Sequence, residues 1–337
     1  MVKKILMVGP SLNEKGGISS VISNFSKLDF PIYFLNDWEQ KRWLFLFLKN
    51  LCTIRRRIKK ENIKIVHFHV AQGGSFIRKS LLLLVLPKDV LSIFHMHASK
   101  FDSYYKEGSF LRKYFIQKIF SKVSLIVAVS MQWKNFYQEL AKSPVIYINN
   151  AVAVPKENCF SNKHKRIITL GRIGQRKGSY DIVQLAREVF KSDPEIHFEL
   201  YGDGESEQVE KTANDLKNIS FHTWINQEAF KERLKDTTLH LLPSYHEGLP
   251  MAVLETMALG IPNVTSDVGG LPSVIQDGKN GFLIKAGDIN EMKETILTAF
   301  AAPEKLLEMS QAAKLTIKDQ FSLEKYHDFW QAVYHNL

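Results

Sequence analysis

The pattern that most constrains the fold of this chain is an alternation of short apolar strands with helices. In the first half, short apolar runs that end in glycine or polar residues are typical of buried parallel strands. The predicted strands are residues 4–9, 63–70, 90–96 and 125–130, with helices at 36–60 and 110–122. This alternation is characteristic of a doubly wound parallel sheet, in which helices cross back over the sheet between strands.

The same alternation starts again in the second half of the chain. Strands are predicted at 166–171, 197–202, 239–244, 263–266 and 281–284, with helices at 181–190, 290–301 and 303–318. A chain of 337 residues is long for one α/β core and suits two domains of about 150 residues each. The sequence therefore predicts an α/β protein with two Rossmann-like doubly wound domains facing across a cleft.

The boundary between the two predicted domains lies in a polar segment. Residues 149–164 contain Pro155 and scattered polar residues, which is typical of a linker. We expect domains at 1–153 and 154–320. The final segment, 321–337, carries aromatic and aliphatic residues close to helical spacing, so we expect a helix that packs back on the first domain.

Charge is divided unevenly between the two halves. Residues 1–150 hold 24 Lys and Arg against 9 Asp and Glu, giving +15, whereas residues 151–337 hold 21 against 26, giving −5. A basic first half indicates an anionic partner, such as acidic lipid or a phosphorylated acceptor, and a merely solvated surface is the alternative. No nucleic-acid partner is expected, because the chain has no recognition motif and no interleaved aromatic and basic stripe.

Cysteine content and apolar run lengths indicate where the chain works. Cys52 and Cys159 lie far apart with no partner pattern, which argues against a disulfide framework and fits a reducing compartment. The apolar runs at 43–48 and 81–86 are far shorter than the roughly 20 residues needed to span a bilayer. We therefore expect a cytoplasmic protein that is soluble or peripheral on a membrane and does not span it.

Residues 41–60 indicate how such a protein would reach the membrane. As a helix, this segment has one stripe suited to the protein core, and Trp43, Phe45 and Leu46 fall outside that stripe. The core stripe comprises Leu44, Phe47, Leu48, Leu51, Ile54 and Ile58, and the cations are Lys41, Arg42, Lys49, Arg56, Lys59 and Lys60. Aromatics beside cations are typical of an interfacial helix. The alternative is a partly buried helix whose extra aromatics contact a neighbouring loop.

The segment 241–255 is the densest in residues suited to binding a substrate. A predicted strand ends there in a turn with Gly248 and Leu249, and a helix is predicted to begin near Pro250. Backbone N–H groups at that helix start can hold an anion or a sugar hydroxyl. Glu247 in the turn and Glu255 in the helix can accept hydrogen bonds from a sugar and a ribose. The alternative is a helix-start carboxylate and an ordinary surface glutamate.

Two other turns contain glycine next to groups that suit phosphate. Arg172 and Lys177 flank a strand-to-helix loop, and two cations beside a helix start can hold a diphosphate. Gly16 and Gly17 follow the first strand and allow backbone amides to approach a phosphate or sugar closely. They lack the G-x-G-x-x-G spacing of a dinucleotide fingerprint. A solvated basic loop and an ordinary turn are the alternatives.

Four histidines occupy two predicted strands. Strand alternation places His67 with His69 on one face and His95 with His97 on one face. A metal site would need a third ligand, and no Asp or Glu has suitable spacing, so no metal site is predicted. His97 lies at a strand end and is the candidate for a polar contact to substrate, whereas His67 is expected to be structural.

Taken together, these motifs resemble the retaining glycosyltransferases of family 4, which have the GT-B fold, of the bacterial polysaccharide-biosynthesis type. The motifs are Gly16-Gly17, His97, Gly171-Arg172 with Lys177-Gly178, Gly202-Asp203-Gly204, and Glu247-x7-Glu255 followed by Met257, Gly260-Ile261-Pro262 and Gly269-Gly270. The E-x7-E element downstream of the Arg/Lys pair is the specific signal among them. The likeness covers most of the chain.

The resemblance implies a donor, a mechanism and a set of site residues. The second domain would bind a nucleotide sugar, with a UDP- or GDP-sugar expected, and the first would bind the acceptor. Donor-binding residues would be Gly16, Gly17, Arg172, Lys177, Gly248, Leu249, Pro250 and Glu255, and His97 and Glu247 would be catalytic. No metal and no cofactor would be needed, because fixed cations and helix starts stabilise the leaving diphosphate. The acceptor would be a glycan or polyprenyl-linked glycan at the inner membrane face.

Two proteins of the same fold are the alternatives. A non-catalytic GT-B subunit would be expected to have lost some of the charged site residues, and all of them are present here. A sugar-nucleotide 2-epimerase would share the architecture, but the setting of the E-x7-E element is typical of transferases.

Overall fold

A computed structural model gives the chain as two units, Met1–Ala151 with Leu323–Leu337, and Val152–Ser322. The structure describes residues 3–12, 14, 16–39, 41–225 and 227–337. Each unit is built on one six-stranded sheet whose strands all run parallel. The predicted α/β class with two Rossmann-like doubly wound domains is confirmed.

The first unit alternates strands with helices along the chain. Its elements are β1 (Ile5–Pro10), α1 (Gly17–Phe25), β2 (Ile32–Trp38), α2 (Trp43–Glu61), β3 (Ile65–Val70), α3 (Gly74–Leu84), β4 (Leu91–Met96), α4 (Phe101–Lys106), α5 (Phe110–Phe120), β5 (Leu125–Ala128), α6 (Met131–Leu140) and β6 (Val145–Tyr147). The strand order is β2-β1-β3-β4-β5-β6. The chain therefore changes direction across the sheet between β1 and β3.

The helices α2, α3 and α5 form one layer on the first sheet. Each connects strands in the same direction across the sheet, and right-handed crossovers then place all three on the same face. Ring contacts agree, because Phe76 of α3 lies 6.3 Å from Phe115 of α5 between ring centroids. The crossover from β1 to β2 runs the other way, so α1 lies on the opposite face.

The second unit repeats this plan with a different strand order. Its elements are β7 (Arg166–Leu170), a 3-10 turn (Gln175–Lys177), α7 (Ser179–Ser192), β8 (His197–Tyr201), α8 (Ser206–Lys211), β9 (Ile219–His222), α9 (Gln227–Leu234), β10 (Leu239–Leu242), α10 (Met251–Ala258), β11 (Asn263–Ser266), a 3-10 turn (Leu271–Ser273), β12 (Gly281–Ile284), α11 (Ile289–Ala301) and α12 (Pro303–Gln320). The strand order is β12-β11-β10-β7-β8-β9. The direction of winding reverses between β7 and β10.

The last helix, α13 (Leu323–Asn336), covers the α1 face of the first sheet. Tyr326, Trp330 and Tyr334 are buried along one side of the helix. The Phe25 ring of α1 lies 5.2 Å from both the Tyr326 and the Trp330 rings, in edge-on geometry. Edge-to-face aromatic packing of this kind, together with the apolar area it buries, holds α13 to the sheet.

Two sequence predictions about local structure are wrong. Residues 36–38 were expected to begin a helix, but they end β2, and the helix starts at Trp43. Leu44 and Leu48 were assigned to a core stripe, but both are exposed, because the buried side of α2 is confined to Asn50, Ile54 and Ile58.

The described helices include none long and apolar enough to cross a membrane.

Candidate functional site

The candidate site of the second unit lies at the switch point of its sheet. β7 and β10 are parallel neighbours, with Ile167 beside Leu239 and Ile168 beside His240. In open α/β sheets, ligands bind outside the carboxyl ends of the strands where the winding reverses. The loop after β7 and the loop after β10 are those that carry Lys177 and Glu247.

These two loops pack directly on one another. Gly178 has φ 69°, and a Cβ at this position would lie 2.3 Å from the carbonyl oxygen of Pro243. Only glycine combines this backbone conformation with such a close approach. The backbone N–H of Tyr245 donates to the Arg176 carbonyl at 3.0 Å, which fixes the register of the two loops.

A buried ion pair joins the two loops at their tips. Lys177 Nζ donates to Glu247 Oε1 at 2.6 Å, and Arg176 Nη1 lies 3.7 Å from the same oxygen. The Glu247 side chain is only 6% exposed. Arg176 also donates to the carbonyl of His246 at 3.0 Å. One carboxylate is therefore held between two cations, with little water to screen the charges.

The helix start predicted after Glu247 is present. Pro250 is the N-cap of α10 with an extended backbone, so the helix begins at Met251 rather than at the proline. Gly248, Leu249 and Pro250 are buried, and Glu255 is half-buried in α10. A backbone hydrogen bond fixes the turn, because Gly270 N donates to the Gly248 carbonyl at 2.6 Å.

Arg172 lies on the other side of the β7 loop, and its side chain is exposed. A Cβ at Gly204 would lie 2.9 Å from Arg172 Cγ, so the arginine extends along the glycine turn after β8. Ile173 N donates to Asp203 O at 2.6 Å and pins the two turns together. The structure thus brings Lys177 and Glu247 into contact and leaves Arg172 free of that ion pair.

The sequence analysis did not identify two residues near this site. One is Arg176, although its place beside Lys177 in a basic run could have indicated a second cation at the loop. His240 is the other: Leu170 N donates to its Nε2 at 3.4 Å, and its Nδ1 lies 2.5 Å from Asn263 Oδ1. Burial lowers the pKa of His240 to about 4; the hydrogen bond with Asn263 opposes this shift, and the charge of Lys177 adds a smaller lowering. A neutral histidine in β10 thus avoids a further charge beneath the ion pair.

This arrangement suits recognition of a diphosphate attached to a sugar. Lys177, Arg176 and Arg172 offer cationic donors, and the start of α10 offers the partial positive charge of unpaired backbone N–H groups. Glu247 adds an acceptor for hydroxyls in the same place. Cations and an acceptor within one loop pair are what a phosphorylated polyol requires.

The first unit holds the other predicted site residues. Gly16 is the N-cap of α1 with φ 142°, and Gly17 begins the helix. A Cβ at Gly16 would meet no described atom within 4 Å, so the space above this helix start is open. His97 follows β4, is half-buried, and donates its backbone N–H to Val70 O at 2.8 Å.

All four strand histidines lie on one face of the first sheet, because His69 is the register partner of His95. His67 Nδ1 is 2.7 Å from the Tyr334 hydroxyl, and His67 Nε2 is 3.3 Å from His95 Nδ1. His69 Nδ1 is 2.9 Å from His97 Nε2. His97 is therefore oriented by His69, and Nδ1 is the ring nitrogen left for other contacts.

The reason given from the sequence against a metal site does not hold. His67, His69 and His95 place one nitrogen each within 4.8 Å of one another, so a third ligand does exist. Register between two strands, which the sequence does not reveal, brings them together. Electrostatics opposes a cation here, because the charge of Lys79 is among the causes that lower the pKa of His69, after burial and the neighbouring histidines. The absence of a bound metal stays a prediction, tested below.

We expect the protein to lose stability on mild acidification. Burial holds the pKa of His67, His69 and His95 well below the usual range, and burial and Lys79 lower the pKa of His97 to about 3. In the unfolded chain these histidines have a pKa of about 6.5. Below that pH the unfolded chain therefore binds more protons than the folded chain. Each such histidine should lower the free energy of unfolding by about 1.4 kcal/mol per pH unit.

Urea unfolding at a series of pH values between about 7 and 5.5 measures this slope, before carboxylates begin to titrate. The free energy of unfolding should be highest above about pH 6.5, where the histidines of the unfolded chain are neutral. It should fall as the pH decreases from there toward the lower pKa values of the folded histidines. A free energy of unfolding that is flat over this range would contradict the buried, neutral state of the cluster.

Comparison with known proteins agrees with this geometry. Residues 153–316 match the model of a family described as glycosyl transferases group 1. An uncharacterized glycosyltransferase of Haemophilus influenzae is 28% identical over 215 residues, which are 62% of this chain and 60% of that protein. This match therefore spans less than two thirds of that relative's length.

Two further proteins are similar over most of the chain. UDP-Gal:alpha-D-GlcNAc-diphosphoundecaprenol alpha-1,3-galactosyltransferase of Escherichia coli is 24% identical over 306 residues, covering 83% of this chain and 77% of that protein. Among solved structures, Anabaena HepE in complex with UDP-glucose superposes with a TM-score of 0.80 at 15% identity, covering 99% of this chain and 100% of that one. Residues 153–316 thus match the glycosyl transferases group 1, and the chain is a glycosyltransferase with the GT-B fold.

Proposed function

We propose that this glycosyltransferase moves a sugar from a UDP- or GDP-sugar to a glycan or polyprenyl-linked glycan in cell-surface polysaccharide synthesis. The observation that carries the proposal is the buried Lys177–Glu247 ion pair at the switch point of the second sheet. The names of the relatives support the substrates: HepE is described with UDP-glucose, and the Escherichia coli enzyme with a diphosphoundecaprenol-linked acceptor.

In this proposal the second unit binds the donor. Lys177 and Arg172 hold the diphosphate, with Arg176 adding charge beside them. The N–H groups at Gly248 and Leu249 and the start of α10 assist, since the helix dipole favours an anion there. Glu247 accepts hydrogen bonds from the sugar, and Glu255 from the ribose. Gly16, Gly17 and His97 of the first unit keep the donor and catalytic roles that the family resemblance gives them.

The proposed reaction retains the configuration at the anomeric carbon. The bond from that carbon to the diphosphate oxygen breaks, and a bond to the acceptor hydroxyl oxygen forms on the same face of the sugar. The hydroxyl proton passes to the departing diphosphate, so no protein nucleophile is needed. Cations fixed around the diphosphate stabilise the charge that develops there, which is the main source of rate in such a site.

A donor screen tests the proposal. UDP- and GDP-sugars at about 100 times their dissociation constant should stabilise the chain by about 2.7 kcal/mol, seen as a rise in melting temperature. NMR of the product should show the anomeric configuration of the donor. A product of inverted configuration would exclude the retaining mechanism. Conversion of a nucleotide sugar into its 2-epimer without acceptor would instead support the epimerase.

We expect transfer to continue without a divalent metal, because the fixed cations at Lys177 and Arg172 take the place of an ion at the diphosphate. Dialysis against EDTA should leave turnover and melting temperature unchanged. Loss of turnover alone, restored by Mg²⁺ or Mn²⁺, would show that an ion assists the diphosphate. A lower melting temperature after EDTA treatment, restored by Zn²⁺, would show that the histidine cluster of the first unit holds a structural ion.

A further inference from the structure

The first turns of α2 expose four apolar side chains, while Leu46 and Phe47 between them are half-buried. Leu44 is 53% exposed, Phe45 57% and Leu48 50%, and Trp43 is also exposed. Each of these four side chains keeps between 43% and 57% of its surface exposed. Buried contacts begin only at Asn50, further along the helix. This half of α2 therefore presents a large apolar area to its surroundings.

The neighbouring helix α3 extends this apolar area. Ile77, Leu81 and Leu84 are exposed along its outer side. The two helices are in contact, since the Arg78 guanidinium lies 5.8 Å from the centre of the Trp43 ring and Arg55 Nε donates to Val85 O at 2.6 Å.

The third helix of the layer, α5, continues the surface. Phe110 is 81% exposed, and Leu111 and Tyr114 are exposed as well. Ser109 caps the helix, accepting from Arg112 N, so Phe110 and Leu111 lie in its first turn and Tyr114 at the start of the second. α2 begins soon after β2 ends, and α5 ends shortly before β5 begins, so the exposed first turns of both helices lie toward the carboxyl edge of the sheet. Ligand-binding loops gather at that edge in this class of fold.

The charges on these helices are almost all positive. α2 carries six Lys and Arg and α5 three, against the single acidic residue Glu61. Of the two cations of α3, Arg78 is partly exposed, whereas Lys79 is buried against Asp37 and adds no charge to the surface. The Arg42 guanidinium lies 5.6 Å from the centre of the Phe45 ring, so cations and apolar groups are interleaved at the surface. Patches this apolar are uncommon on monomeric soluble proteins and mark interaction sites.

We propose that the exposed apolar side chains of α2, α3 and α5, with the cations of these helices, form a docking surface for an acidic lipid bilayer. A bilayer meets both requirements at once, with anionic headgroups for the cations and a hydrocarbon boundary for the aromatic and aliphatic groups. The surface deepens the proposed function and rests on it only for the acceptor: it would hold the first unit where a lipid-linked glycan is found.

Vesicle co-sedimentation of the full chain tests the surface. Vesicles of phosphatidylcholine with phosphatidylglycerol should bind the protein, and phosphatidylcholine alone should bind it far less. Each cation at the surface contributes about fivefold to partitioning at low salt. The triple substitution Arg56→Glu, Lys59→Glu, Lys60→Glu should therefore reduce binding by about 100-fold or more. High salt should weaken the wild type, because it screens these attractions.

The apolar part is tested by Leu44→Ser with Phe45→Ser, which should reduce binding by about tenfold or more through lost insertion of apolar area. Matched controls lie in the second unit. Leu307→Ser with Leu315→Ser removes two exposed leucines, and Lys211→Glu, Lys217→Glu, Lys305→Glu reverses the same number of exposed charges. Both controls should bind vesicles within about twofold of the wild type.

The outcomes separate docking from catalysis. The α2 variants should transfer sugar to a short water-soluble acceptor at the wild-type rate and lose transfer to acceptor embedded in vesicles. Equal losses in the α2 variants and the matched controls would overturn the proposal, because only net charge or solubility would then matter. So would a wild type that ignores acidic vesicles at low salt, or one that forms a concentration-dependent dimer through Leu44 and Phe45 instead. Absence of any transfer, with vesicle binding intact, would count against the proposed function alone.

Discussion

Glu247→Gln is expected to lower kcat by about 100-fold or more while the melting temperature stays close to that of the wild type. Glutamine keeps the size of the side chain and an oxygen that accepts from Lys177, so the loops should stay packed. It removes the negative charge that lies between Lys177 and Arg176. The altered field falls on the place where the sugar and its diphosphate separate.

The matched control for this change is Glu188→Gln. Glu188 also pairs with a lysine, Lys191 at 2.7 Å, but on the exposed side of α7. Surface pairs of this kind contribute about 0–1 kcal/mol, so the control should alter neither rate nor melting temperature noticeably. Steady-state kinetics beside thermal unfolding decides the matter. Equal losses of rate and stability in Glu247→Gln would make the glutamate a structural residue.

Lys177→Ala and Arg172→Ala are each expected to weaken donor binding by about 1.5–3 kcal/mol, the magnitude of a charge-assisted hydrogen bond. Lys177→Ala should weaken donor binding more than Arg172→Ala does. Lys177 is largely buried, and its removal also leaves Glu247 with Arg176 as its remaining cation. Calorimetric titration with the nucleoside diphosphate measures the change directly. Arg187→Ala, which removes an exposed pair with Asp215, is the control and should bind normally.

A double-mutant cycle sharpens the second expectation. Lys177 and Glu247 are in contact, so the effects of Lys177→Ala and Glu247→Gln on donor binding should not add. Arg172 lies outside the ion pair, so its effect should add to that of Glu247→Gln within about 0.5 kcal/mol. Wild-type donor affinity in both single cation variants would remove the diphosphate role of this loop.

The interior of each sheet could be predicted from the sequence because central parallel strands are buried on both faces and read as continuous apolar runs. The bounds of β11 are those predicted, and so are those of β12, although β12 is an edge strand. The other three edge strands, β2, β6 and β9, were missed, because β6 is only three residues long and the side chains of β2 and β9 are mostly half-buried and mixed with polar residues. Without an apolar run, residues 36–38 were assigned to the helix that follows.

The candidate site shows the same division between local and long-range information. Turn chemistry around Glu247 and Lys177 identified both loops, since glycine, proline and charge at fixed spacing are local signals. That β7 and β10 are neighbours, and so join Lys177 to Glu247, depends on strand order, which no local pattern contains. The cluster of four histidines likewise required the register of His69 against His95. Leu44 and Leu48 are exposed, although their helical spacing predicted that they belong to the core. Helical spacing of apolar residues shows which side of a helix is apolar, but it does not show what that side contacts.

The most direct test of the account is the stoichiometry of sugar transfer. Labelled UDP- and GDP-sugars are incubated with polyprenyl diphosphate-linked glycans, and the glycosylated lipid and the released nucleoside diphosphate are both counted. The account predicts one nucleoside diphosphate per sugar transferred, with release that requires acceptor and is lost in Glu247→Gln. Transfer that proceeds undiminished in Glu247→Gln, or no transfer from any donor of either class, would contradict it.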